Sequence, residues 1–101
     1  MLTKLTAAQL AEAMTDLSSW SSRAGLALER SLAFADSVTA IGFVVRVAMH
    51  AEVMGHHPEL HIVYNRVDIT LTTHDASGIT DLDVSLAKRI DACVGPRDLD
   101  S

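Results

Sequence analysis

Cysteine occurs once in these 101 residues, as Cys93, which excludes an intrachain disulfide and fits a reducing compartment. Aromatic residues are scarce as well, with one Trp, one Tyr and two Phe. A core must therefore be assembled mainly from Ala, Val, Leu and Ile, and the 49% apolar share leaves enough for contacts between subunits too. Basic residues are few: eight Lys and Arg against thirteen Asp and Glu give a formal charge of −5. Scattered as they are, they form no basic face to displace the counterions of a nucleic acid, so direct nucleic-acid binding is not expected. Long apolar runs are missing: the strongest, from Ile41 to Val45, is cut by Arg46 and is too short to span a bilayer. The start of the chain lacks the basic residues and continuous apolar stretch of a signal peptide. These absences predict a cytoplasmic protein without membrane association, forming one domain over 1–101.

Helix and strand signals alternate along the chain. Leu5 to Leu10 reads as a helix start, in which Thr6 caps, Gln9 reaches back and Leu5 staples onto Leu10. Leu10, Met14 and Leu17 continue one face up to Ser18-Ser19. From Leu26 the period becomes two: Leu26, Leu28, Leu32 and Phe34 share a strand face, with Arg30 the exception. Trp20 to Arg23 supplies a partner strand across an Ala24-Gly25 turn. Asp36 or Ser37 caps a second helix whose apolar stripe runs through Val38, Ile41, Val45, Ala48 and Glu52. Gly55 occupies a left-handed C-cap position, and Pro58 follows it. Val67, Ile69 and Leu71 alternate with Asp68, Thr70 and Thr72 in the clearest strand, while Val63-Tyr64 either extends it or forms a short strand across Asn65. After a Ser77-Gly78 turn, Thr80 and Asp83 form a second capping box, with Ile79 stapled to Val84. Val84, Ala87, Ile90 and Val94 carry a last helix to Gly95-Pro96, and the polar tail beyond is expected to fray. This order predicts an α+β domain with helices on one face of an antiparallel sheet.

Chemistry concentrates around Glu52-Val53-Met54-Gly55-His56-His57-Pro58 and, further on, His74. Histidine exchanges protons near neutrality, and two adjacent histidines followed by proline are candidates for acid/base work. The helix C-terminus ahead of His56 favours its imidazolium form, and Glu52 one turn earlier acts in the same direction, which suits His56 to donating a proton. Glu52 itself is either a carboxylate on the buried stripe in need of a partner or a last-turn residue reaching water. Neighbouring side chains of an extended segment point apart, so His56 and His57 should differ in role. His74 ends the best strand on the face of Thr70 and Thr72. A zinc site is not expected, because His50, His56, His57, His61 and His74 lack the spacing that puts ligands on one face. Asp83 is explained by capping, Tyr64 by either a pocket wall or the core, and Cys93 has no strongly activating neighbour.

The spacing Glu52, His56-His57-Pro58, Tyr64, His74, Asp83 resembles that of the pterin-4a-carbinolamine dehydratases, and the similarity extends from Leu5 to Ala87. The resemblance implies a four-stranded antiparallel sheet with three helices packed on one face, assembled as a homodimer or homotetramer. It implies dehydration of 4a-hydroxytetrahydropterin to quinonoid dihydropterin in tetrahydropterin recycling, with no metal and no organic cofactor. Carried over by position, His56, His57 and His74 are the family's active-site histidines, with Glu52 beside them; His56, His74 and Glu52 are expected to be catalytic, and His57, Pro58 and Thr73 to bind the small-molecule pterin. Two departures stand out: Leu60 replaces a common Trp, and Leu82 replaces a common basic residue. Two other functions fit the same residues, namely a non-catalytic binding or dimerisation partner of the same fold and an enzyme acting on another pterin, such as a molybdopterin intermediate.

Overall fold

The computed structural model describes residues 2–100. Thr6 caps helix α1 (Ala7–Met14) through the capping box with Gln9. Strands β1 (Ser21–Arg23) and β2 (Ala27–Ala33) form a hairpin whose turn holds Ala24 and Gly25 at positive φ. Asp36 caps α2 (Ser37–Met54) by accepting from the Thr39 amide at 2.7 Å, and this bond lowers its pKa. Strands β3 (Glu59–Val63) and β4 (Arg66–Leu71) form a second hairpin, and α3 (Asp81–Ala92) begins at the Thr80/Asp83 capping box. The sheet is antiparallel throughout, in the order β1-β2-β4-β3.

Alternation decides which sheet face is covered. Leu28 and Leu32 of β2, with Val67, Ile69 and Leu71 of β4, point to the helix side and are buried. Arg30 shares that side, and its charge is met by Asp91 of α3, which also accepts from Trp20 Nε1 at 2.8 Å. The opposite face carries Glu29, Ser31, Asp68 and Thr70, none of them buried; there Ser31, with Arg66, holds Asp68 below its usual carboxylate range.

Three sequence expectations are corrected. The stripe Val38, Ile41, Val45, Ala48 and Glu52 does not face the core: α2 buries Ala40, Phe43, Val47 and Ala51 instead. Both faces of this helix are apolar, so periodicity alone did not select one, and Phe43 takes the inside by packing on Phe34 with ring centroids 4.8 Å apart. Leu26, read as a strand residue of the inner face, is half exposed before β2 begins. The tail is not frayed, since the Ala35 amide donates to the Asp98 carbonyl at 2.9 Å and the Asp100 amide donates to that of Ala33 at 2.8 Å, lengthening the pairing of β2.

Among the described residues, α2 alone has the length and apolarity to cross a membrane. Short apolar runs hid this, because Arg46 and Glu52 interrupt a helix whose average stays high. Its inner face packs in the core of the domain, which leaves the outer one as an exposed apolar surface.

Candidate active site

The last turn of α2 aims His56. Gly55 is left-handed at φ 62°, so the His56 amide turns back to donate to the Ala51 carbonyl at 3.1 Å. This reversal carries the His56 ring inward beneath the start of α3, where its side chain is only 12% exposed. There Nε2 lies 2.5 Å from Oδ1 of Asp83, which has no exposure at all.

Asp83 is held by more than a capping box requires. Its Oδ2 accepts from the Thr80 amide at 2.9 Å and from Thr73 Oγ1 at 2.8 Å, and the two threonine hydroxyls are themselves 2.8 Å apart. With Oδ2 committed to those two donors, Oδ1 is the acceptor for His56, and the ring must carry its proton on Nε2. Nδ1 is the ring nitrogen outside this contact. The arrangement is that of a buried carboxylate orienting an imidazole.

His57 points the other way, as the alternation of an extended segment requires. Its Nε2 is 2.6 Å from Oε1 of Glu52, with the two side chains 62% and 77% exposed. Glu52 therefore partners His57, not His56, and reaches water on the outer face of α2; the carboxylate in contact with His56 is that of Asp83.

His74 opens a single 3₁₀ turn (His74–Ala76) after β4, rather than ending the strand itself. Thr73 and Gly78 pair across the base of this turn, exchanging backbone hydrogen bonds at 3.1 and 3.3 Å. His74 is exposed, 3.9 Å from Glu59. His56, His57, Thr73 and His74 line one cavity of about 350 Å³, rimmed by Leu82. Pro58 and Glu52 are outside its lining.

Other residues singled out in the sequence fall elsewhere. Tyr64 is neither pocket wall nor core: it is 76% exposed, at positive φ in the β3–β4 turn. Leu60 packs against the core, whereas Leu82 reaches the cavity. Burial pushes the Cys93 thiol up despite Arg46 nearby, which disfavours the thiolate. Among the described residues, no three His, Cys, Asp or Glu side chains gather closely enough to share a metal ion.

The model of the family described as pterin 4 alpha carbinolamine dehydratase matches residues 3–93. The chain belongs to that family. A Burkholderia orbicola (strain MC0-3) relative, provisionally named pterin-4-alpha-carbinolamine dehydratase, is 51% identical over 90% of each chain. A second from Burkholderia multivorans (strain ATCC 17616 / 249), named in the same way, is 50% identical over 91% of each. A solved structure described as a transcriptional coactivator/pterin dehydratase from Brucella melitensis aligns with a TM-score of 0.88 and 41% identity, covering 92% of this chain and all of the other. A pterin dehydratase-like protein described as a RuBisCO assembly factor in the alpha-carboxysome aligns at 0.65 and 25% identity, over 76% and 90%. The four strands and three helices fit this family fold.

Proposed function

We propose that this protein dehydrates a 4a-hydroxytetrahydropterin by histidine acid/base catalysis, in the recycling of tetrahydropterin in the cytoplasm. The observation that carries the reading is the buried Asp83–His56 contact, in a cavity that His57 and His74 share. A binding module has no need to fix an imidazole in this way.

The reaction removes water across the C4a–N5 bond. A proton reaches the C4a hydroxyl, the C–O bond breaks, N5 gives up its proton, and its electron pair forms the C4a=N5 double bond. His56 as imidazolium keeps one proton on Nε2 against Asp83 and donates the other from Nδ1 to the leaving hydroxyl. His74, arriving from a different element, takes the N5 proton. Each transfer contributes about 10² to 10⁴ in rate. His57, steadied by Glu52, orients the pterin ring by hydrogen bonding, and Thr73 and Pro58 shape the approach of the two histidines. No metal takes part. Protein dialysed against a chelator is expected to keep its full dehydration rate, and loss of activity restored by zinc would contradict this.

We also propose that the protein is a homodimer or homotetramer. Val38, Ile41, Val45, Met49 and Val53 line the outer face of α2, at 80%, 47%, 54%, 65% and 77% exposure. Such a continuous apolar stripe, about 23 Å long at 1.5 Å per residue, is what a second helix covers. Sedimentation at micromolar concentration is expected to give a multiple of 10.8 kDa, with Val45→Glu shifting the population towards monomer. A wild-type protein found only as monomer would contradict it.

A further inference from the structure

We propose that the apolar cavity between α1 and the β1–β2 hairpin is an effector site for a small aliphatic monocarboxylate, coupled to His56 through Ile79. The ligand's effect on turnover rests on the dehydratase reading above; its binding does not. The cavity measures about 450 Å³, a size that holds a small ligand. Leu5, Leu10, Ala11 and Met14 form one wall, and Ala24 and Gly25 belong to the other. Helix α1 has no buried residue, and Leu5, Leu10 and Met14 are only partly covered where they pack against the core. An aliphatic chain would complete that cover. Lys4 is the one charged residue of the lining among the described residues. Its stem lies so close to Gly78 that an added Cβ there would come within 2.6 Å of Lys4 Cε. Ser22 Oγ accepts from the Gly25 amide at 3.2 Å, which leaves its own proton for a ligand. A carboxylate can accept from Lys4 and Ser22 while its chain lies against α1. A phosphate ester, with two charges, would meet a single cation in an apolar cleft.

The two walls hold Ile79 between them. The Leu5 amide donates to the Ile79 carbonyl at 2.9 Å, and the Ile79 amide donates to the Gly25 carbonyl at 3.3 Å. Ile79 precedes Thr80, whose amide donates to Asp83, the carboxylate in contact with His56. Gly78, under the Lys4 stem, pairs with Thr73, whose hydroxyl donates to the same carboxylate. A ligand that sets the spacing of α1 and the hairpin therefore acts on the position of Asp83. The coupling works in both directions, so a change at His56 reports occupancy of the cavity.

Methyl and imidazole NMR of the full-length protein, with sodium octanoate as the probe, tests this without turnover. The Met14 methyl signal is expected to shift saturably, while that of Met49, on the outer face of α2, stays in place. The His56 Cε1–H signal should move with Met14 along one binding curve. Lys4→Gln should raise the Kd about threefold. Ala11→Trp, which fills the cavity from an exposed helix position, should abolish both responses. A Met14 signal that does not move overturns the site, as does a response that both variants leave unchanged or that Met49 shares. A Met14 response without one at His56, or a His56 response that survives Ala11→Trp, overturns the effector role. Met14 shifts that follow protein concentration without octanoate would give the cavity to a second copy of the chain and overturn the proposal.

Discussion

Asp83→Asn is expected to lower kcat by about 10²-fold or more while the protein stays folded. Asparagine keeps an oxygen for the Thr73 hydroxyl and Thr80 amide, so the cap of α3 survives. It turns an NH₂ group towards His56 Nε2, where a carboxylate had accepted. Nε2 must then be unprotonated, and the ring can no longer hold the two protons that a donor imidazolium needs. The loss should fall on kcat and leave KM nearly unchanged, because Asp83 touches His56 and not the pterin. Steady-state kinetics with a urea titration separates this from simple unfolding. A variant with normal stability and wild-type kcat would remove Asp83 from the mechanism. Asp83→Ala is a poorer probe, since it strands buried hydroxyl and amide groups at a cost of about 1–3 kcal/mol each.

The second large effect concerns the division of labour among the histidines. His56→Ala and His74→Ala are each expected to reduce kcat by about 10² to 10⁴, with the double variant lower than either. His57→Ala should act mainly on KM, the signature of lost uniform binding. Glu52→Gln should follow His57 and not His56, because its carboxylate lies 2.6 Å from the His57 ring. As an exposed pair, Glu52 and His57 should matter little to stability, about 1 kcal/mol or less. If His57→Ala abolished turnover and His56→Ala left kcat intact, the roles would have to be exchanged.

Much of this site was legible in the sequence, and the reason for each shortfall is physical. The His-His-Pro segment after a glycine C-cap was readable, because a left-handed cap and the alternation beyond it are local events. So was the capping box at Thr80 and Asp83. What the local reading of Asp83 missed was tertiary: a residue with a complete local explanation also has a free oxygen, which His56 reaches from 27 residues away in sequence. Its place at the end of the spaced pattern, nine residues beyond His74, was the available signal. Glu52 went the other way. Its place one turn before His56 suggested that the two would meet, but the left-handed Gly55 between them swings His56 inward, away from Glu52. The face of α2 was misjudged because Val38, Ile41 and Val45 are as apolar as the residues inside. Strand β3 was marked only at its Val63 end, since just two of its five residues face the helices and its outward residues are charged or polar up to that point.

The most direct test is a stopped-flow record of freshly generated 4a-hydroxytetrahydropterin mixed with the full-length wild-type protein at neutral pH. The decay to quinonoid dihydropterin is expected to speed up in proportion to protein concentration, and to return close to the uncatalysed rate with the His56→Ala, His74→Ala double variant. A decay that is the same with wild-type protein as in buffer alone would contradict the assignment of this cavity as a dehydratase site.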